Sequence, residues 1–145
     1  MTDTQYRSGD FVWSNFPERE NPARPGPRHI GYVALSTSSD NVSAIFPAYT
    51  TSRLWEGPRP LGVHSFDREA AATMGQSRSF TLDLRRMALV PAREEWFPDL
   101  ASANRGIVGH APERIRAELE VTIKDLARRR PELIERLGPL WPGRR

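Results

Sequence analysis

The sequence predicts a mainly β fold with helices (α+β): a compact, strongly bent antiparallel sheet or barrel of short strands, with a C-terminal amphipathic helix packed on it. Three observations lead there. Short runs of β-formers recur through the first two-thirds of the chain, cut by proline- and glycine-rich breaks. Phe80, Leu82 and Leu84 alternate with Ser79, Thr81 and Asp83, the period-two pattern of a half-buried strand. From Pro112 onward the apolar spacing becomes helical.

Taken in order, Gly9-Asp10 opens a strand over Phe11–Phe16, and Pro17 stops it. Residues 18–28 hold three prolines, a glycine and five charged side chains, so they cannot pair regularly in a sheet. They read as an exposed loop carrying Arg19, Arg24 and Arg28, and loops of this length are often functional. The nearly unbroken apolar run from Ile30 to Leu35 reads as a central strand. Turn residues at 37–41 and a second run, Val42–Phe46, make it half of a hairpin. Pro47 falls near the end of the second strand, and Ala48-Tyr49-Thr50-Thr51-Ser52 follow it.

A proline-rich loop at 56–60 leads to a strand over Leu61–Phe66. Asp67 suits the cap of a short helix, Arg68–Met74, with Gly75 as its stop. After the alternating strand, Arg85-Arg86 predicts a break, and Met87–Val90 a further short strand before Pro91. Pro112 and Glu113 suit the first turn of a helix in which Ile115, Leu119, Thr122/Ile123 and Leu126 share one face. Arg128-Arg129-Arg130 suit its last turn. Pro131 should break it, leaving at most one further turn and a loose proline- and arginine-rich tail. The expected organisation is a single domain over residues 1–130, with its C-terminal helix at 112–130, and a tail at 131–145.

The chain has 145 residues, 38% of them hydrophobic, which suffices for a real core without staples. No apolar run approaches the length of a membrane span, and no leader-like apolar segment follows the N-terminus, so a cytoplasmic protein with no membrane partner is expected. There is no cysteine, which removes disulfides, thiolate metal ligands and a cysteine nucleophile together. Of the 21 basic residues all but Lys124 are arginine. A genome biased toward arginine codons accounts for this as well as an anionic partner does, although the guanidinium pairs bidentately with phosphate. The basic excess lies in residues 104–145, at +4, against −1 for residues 1–103.

Several enzyme classes lack support. There is no glycine-rich phosphate loop, no His-Glu-x-x-His helix and no Gly-x-Ser-x-Gly elbow. His29, His64 and His110 are far apart in sequence, so neither a histidine-held metal nor any other cofactor is called for. What remains is an arginine beside a run of hydroxyls. Arg28 precedes the first strand of the hairpin, and Thr50-Thr51-Ser52 follow the second, so the hairpin should bring them to one rim of the sheet. A guanidinium next to hydroxyls is an anion site, or equally an ordinary solvated surface. RNA cleavage needs charge stabilised on the phosphoryl oxygens while the adjacent 2′-OH attacks, and protons moved on both sides.

The order of these features resembles the MazF/PemK-like toxins, the endoribonucleases of type II toxin–antitoxin modules. The resemblance runs through Gly9-Asp10-Phe11-Val12-Trp13, a polar loop ending in Arg28, and Tyr32–Leu35 ending in Ser36. It continues through a second strand into Thr50-Thr51-Ser52, then Phe80–Arg86 with Val90-Pro91, and Gly106-Ile107-Val108 before the helix 112–126. It covers about residues 9–127. It implies an SH3-like barrel, a homodimer, a cognate antitoxin, and metal-independent cleavage of single-stranded RNA to a 2′,3′-cyclic phosphate and a 5′-hydroxyl. The family's catalytic arginine maps onto Arg28 and its catalytic threonine onto Thr51 or Thr50.

His29 stands where that family usually has proline, and either is tolerated or shares proton transfer. Arg19, Arg24, Ser52, Arg53 and Trp55 are candidates to hold the strand; Trp13, Trp55 and Trp96 could each offer a stacking surface, and Trp55, in a loop beside Arg53, is the better placed. Trp13 lies within a predicted strand and is expected in the core. The alternatives are a non-catalytic barrel that binds RNA or a protein, and an interaction domain working through the basic helix and tail.

Overall fold

The computed structural model describes residues 6–39 and 42–141. Among the described residues, eight strands and two helices form a mainly antiparallel α+β fold. The strands are β1 (Asp10–Asn15), β2 (Arg28–Ser39), β3 (Val42–Thr51), β4 (Val63–Phe66), β5 (Phe80–Ala88), β6 (Val90–Pro91), β7 (Ile107–His110) and β8 (Glu135–Leu137). The helices are α1 (Arg68–Thr73) and α2 (Glu113–Arg129). Hydrogen bonding runs β4-β5-β3-β2-β1-β7, with β6 on β3 and β8 on β5.

Period-two alternation gives this sheet two apolar faces. Phe11 and Tyr32 pack with Phe80, Leu82 and Leu84, whereas their neighbours Val12 and Val33 pack on the other side with Ile45, Val90 and Phe97. Register irregularities at Phe11/Val12, Val33/Leu35 and Ala48/Tyr49 bend the sheet around these clusters. α2 covers the first cluster with Leu119 and Leu126, both 1% exposed, and with the partly buried Ile115 and Ile123, the predicted stripe. α1 is capped as expected, the Asp67 carboxylate accepting from the Ala70 N–H at 2.8 Å. Gly75 ends it with a left-handed φ of +76°, and the position takes glycine because a Cβ there would lie 2.8 Å from the Val108 carbonyl oxygen.

The hairpin of β2 and β3 is longer than its apolar runs suggested, reaching Arg28 at one end and Thr51 at the other. The predicted turn falls partly on Asp40 and Asn41, outside the described residues. Two expectations need correction. Arg85-Arg86 do not end β5, although its ladder with β3 skips from Asp83 to Met87 there: the Asp83 carboxylate accepts from the Arg85 backbone and guanidinium, and Arg86 lies over the Tyr49 ring.

From Pro131 to Trp141 the chain is not loose. Pro131–Leu133 form a 3₁₀ turn, β8 pairs in parallel with β5, and Leu137 is buried in the second cluster. Three residues of strand are too few to show a period in sequence. Residues 142–145, including the predicted breakers Pro142 and Gly143, lie outside the described residues. No helix among the described residues is long and apolar enough to cross a membrane.

Candidate active site

Arg28 is the first residue of β2, paired across the ladder with Asn15, while Trp13 pairs with Ile30. Diagonal neighbours in an antiparallel ladder share a face. The Arg28 guanidinium accordingly lies over the Trp13 ring, its central carbon 4.5 Å from the ring centre. Its Nη2 donates to Asp99 Oδ2 at 2.6 Å. The pair is partly exposed, with side-chain accessibilities of 54% and 32%. Such a pair contributes at most about 1 kcal/mol to stability, so its consequence is orientation. Stacked on one face and tied at one corner, the guanidinium has few orientations open to it.

At the matching end of β3, Thr50 is 7% exposed and its hydroxyl donates to the Ile30 carbonyl at 2.6 Å. Thr51 is less buried. Its hydroxyl oxygen accepts from the Arg53 N–H at 3.2 Å, which leaves the hydroxyl proton to donate elsewhere. Arg28, Thr50, Thr51 and Ser52 line one cleft of about 280 Å³, with Phe11 and Trp13 as its apolar wall. Arg28 and residues 50–52 therefore border a single space; along the ladder Thr50 shares the face of Arg28, whereas Thr51 leaves β3 on the face of His29 and Tyr49. Arg78, on the polar loop after Gly75, lines the same cleft from the opposite side in sequence.

His29 also borders the cleft, but successive strand residues leave opposite faces, and its ring stacks on Tyr49 with centroids 4.7 Å apart. The Thr50 carbonyl can only accept, so His29 Nε2 is the protonated nitrogen that donates to it. Burial pushes the His29 pKa down. The Thr50 hydrogen bond opposes that shift, and the Arg86 charge adds to it. The imidazole is therefore neutral at neutral pH, with Nδ1 as the atom that would take a proton. His64 lies elsewhere, stacked on Phe66, with its pKa lowered by burial and then by Arg59. His110 Nδ1 meets buried Asp10 at 2.6 Å and ties β7 to β1.

A second, larger groove of about 1230 Å³ meets the cleft at Thr51, and Arg19, Arg53 and Trp55 line it. Arg19 pairs with Glu135 of β8. Trp55 is 39% exposed, and the Arg85 guanidinium lies 5.3 Å from its ring. Arg24 lines neither space; it sits with Pro25, Arg93 and Trp96 on a separate depression.

Three residues in or beside these spaces, Asp99, Arg78 and Arg86, were not singled out from the sequence, and Trp13 is placed differently from the core position expected of it. Trp13 is half-buried under Arg28 rather than in the core, because its strand is the one next to β2. Asp99 lies in an irregular loop about seventy positions from its partner, and no local pattern announces it. Arg78 sits in a small polar loop, a weak signal. Arg86 is hidden by the assumption that paired arginines end a strand. Among the described residues, no three histidine, aspartate or glutamate side chains converge as a ligand set. No family model matches the chain, and no curated protein matches it either.

Proposed function

We propose that the chain is a metal-independent endoribonuclease that cleaves single-stranded RNA, the toxin of a type II toxin–antitoxin module. The observation that carries this reading is the shared cleft: Arg28, Thr50, Thr51 and Ser52 line one space. In the reaction the 2′-oxygen attacks the adjacent phosphorus, the bond from phosphorus to the 5′-oxygen breaks, and a 2′,3′-cyclic phosphate and a 5′-hydroxyl result. The 2′-proton leaves to a base and the departing 5′-oxygen gains a proton.

Charge that builds on the phosphoryl oxygens needs donors fixed in advance, and Arg28, held by Trp13 and Asp99, is such a donor. The hydroxyl that touches phosphate is that of Thr51 or Thr50: the Thr51 proton is uncommitted, whereas Thr50 shares the Arg28 face but donates to the Ile30 carbonyl. Arg78 supplies a second positive charge from the facing loop. His29 Nδ1 is placed to take a proton only if the ring turns from its stack on Tyr49. The family resemblance adds an SH3-like barrel, a homodimer and an antitoxin whose acidic segment occupies the RNA groove.

The test is cleavage of a single-stranded RNA by the purified protein in excess chelator. Activity should persist in chelator and fall by roughly 10²–10³-fold in Arg28→Ala, the loss typical of one transition-state donor. A requirement for added metal would refute the reading. A second reading, a non-catalytic barrel that binds RNA or a protein, is favoured by one observation: Asp99 already occupies a corner of the Arg28 guanidinium. It predicts salt-sensitive RNA binding with the RNA left intact.

A further inference from the structure

The cations of the larger groove are in unequal states. Arg19 is paired with Glu135 and Arg85 with Asp83. Arg86, next along β5, has no carboxylate partner among the described residues. Its guanidinium carbon lies 4.0 Å from the Tyr49 ring centre and 5.9 Å from that of Phe16, and its Nε is buried without a hydrogen-bond partner. Aromatic faces offset part of the desolvation of a guanidinium but accept none of its in-plane N–H bonds. A partly buried cation with unspent donors on the wall of an open groove is an anion receptor. Arg53 lines the same groove and also has no carboxylate partner among the described residues, and Trp55 adds an exposed ring. Thr51 belongs to both the groove and the Arg28 cleft, so the two spaces adjoin at that residue.

We propose that this groove is a nucleotide subsite in which Arg86 binds a backbone phosphate beside the one at Arg28, with an unpaired base stacked on Trp55. The inference rests on the reading of the chain as a binder of single-stranded nucleic acid. It goes beyond it by placing a second phosphate on a residue of β5.

The probe is a fluorescent twelve-residue oligodeoxythymidine, which lacks the 2′-hydroxyl and cannot be cut by the proposed reaction. Binding is followed by anisotropy over a series of salt concentrations. Neutralising one phosphate contact on a single strand changes the slope of log K against log salt by about 0.7. Arg86→Met, which keeps the stem over Tyr49, should reduce the slope by about that amount and weaken binding roughly tenfold at low salt. Arg86→Lys should keep the slope, and it serves as the reference should the methionine variant fold poorly. Trp55→Ala should weaken binding by roughly tenfold or more with the slope unchanged. Arg114→Met, on an exposed position of α2, should change neither.

A wild-type slope in Arg86→Met overturns the subsite, as does oligonucleotide binding too weak to detect in the wild type. Displacement of the oligonucleotide by polyglutamate that depends on Arg86, with binding of the oligonucleotide independent of it, overturns the subsite in favour of an acidic protein segment. RNA cleavage is scored separately. Cleavage without Arg86-dependent binding leaves the Arg28 reading intact and removes only the subsite. Arg86-dependent binding without cleavage does the reverse.

Discussion

Replacing Gly26 by alanine perturbs the site without altering any residue that lines it. The loop from Phe16 to Pro27 returns to β1 through a hydrogen bond from the Gly26 N–H to the Asn15 carbonyl at 3.1 Å. The return is so close that a Cβ on Gly26 would stand 2.1 Å from the Phe16 carbonyl oxygen and 3.1 Å from its carbon. Neither atom is the end of a flexible side chain, so the backbone itself must give way by about 1 Å, two residues before Arg28. Displacements of that size at a catalytic group cost about 10²-fold in rate.

Stability should suffer much less, because what is lost is about one backbone hydrogen bond, roughly 0.5–1.5 kcal/mol. That corresponds to a drop of about 2–6 °C in melting temperature. The assay is single-turnover RNA cleavage with enzyme in excess, beside a thermal melt. A variant that melts a few degrees lower yet cleaves within about threefold of wild type would refute the claim that this turn positions Arg28.

Two further outcomes follow from burial. Burial lowers the pKa of both His29 and His64 from the ordinary value of 6.5. Below that value the unfolded chain therefore binds more protons than the folded one, so stability falls as pH drops below 6.5 and gains nothing from these groups above it. Urea unfolding at about pH 7.5 and about pH 5.5 should show a smaller acid loss in His29→Gln than in wild type. Equal losses would contradict the assignment of a neutral, buried imidazole. In α2, Leu119→Ala removes a side chain that is 1% exposed in the first cluster and should cost about 2–5 kcal/mol in urea unfolding. A loss under about 1 kcal/mol would mean that the helix does not seal that face.

Local signals carried much of the fold. Alternation marked β5, the cap and stop residues bounded α1, and the helical spacing of Leu119 and Leu126 gave the buried face of α2. What failed was context. Arg85 and Arg86 look like a break because charge usually ends a strand, but a neighbouring carboxylate and an aromatic ring accommodate them. β8 is a short strand that exists only because β5 offers a free edge. The candidate site divides in the same way. Arg28 and the hydroxyls of residues 50–52 were legible because a hairpin brings its two ends together by simple counting. Asp99, Arg78 and the face of Trp13 turned toward Arg28 depend on how separate segments pack, which no spacing along the chain encodes.

The central claim is that an alcohol of the RNA itself is the nucleophile, activated in the cleft lined by Arg28, Thr50 and Thr51. The direct measurement uses an RNA in which the single sugar on the 5′ side of the cut carries hydrogen in place of its 2′-hydroxyl. Cleavage at that linkage should stop, while the unmodified RNA yields a terminal 2′,3′-cyclic phosphate. Continued cutting at the modified linkage, or an unmodified RNA that ends in a 3′-hydroxyl and a 5′-phosphate, would contradict the account.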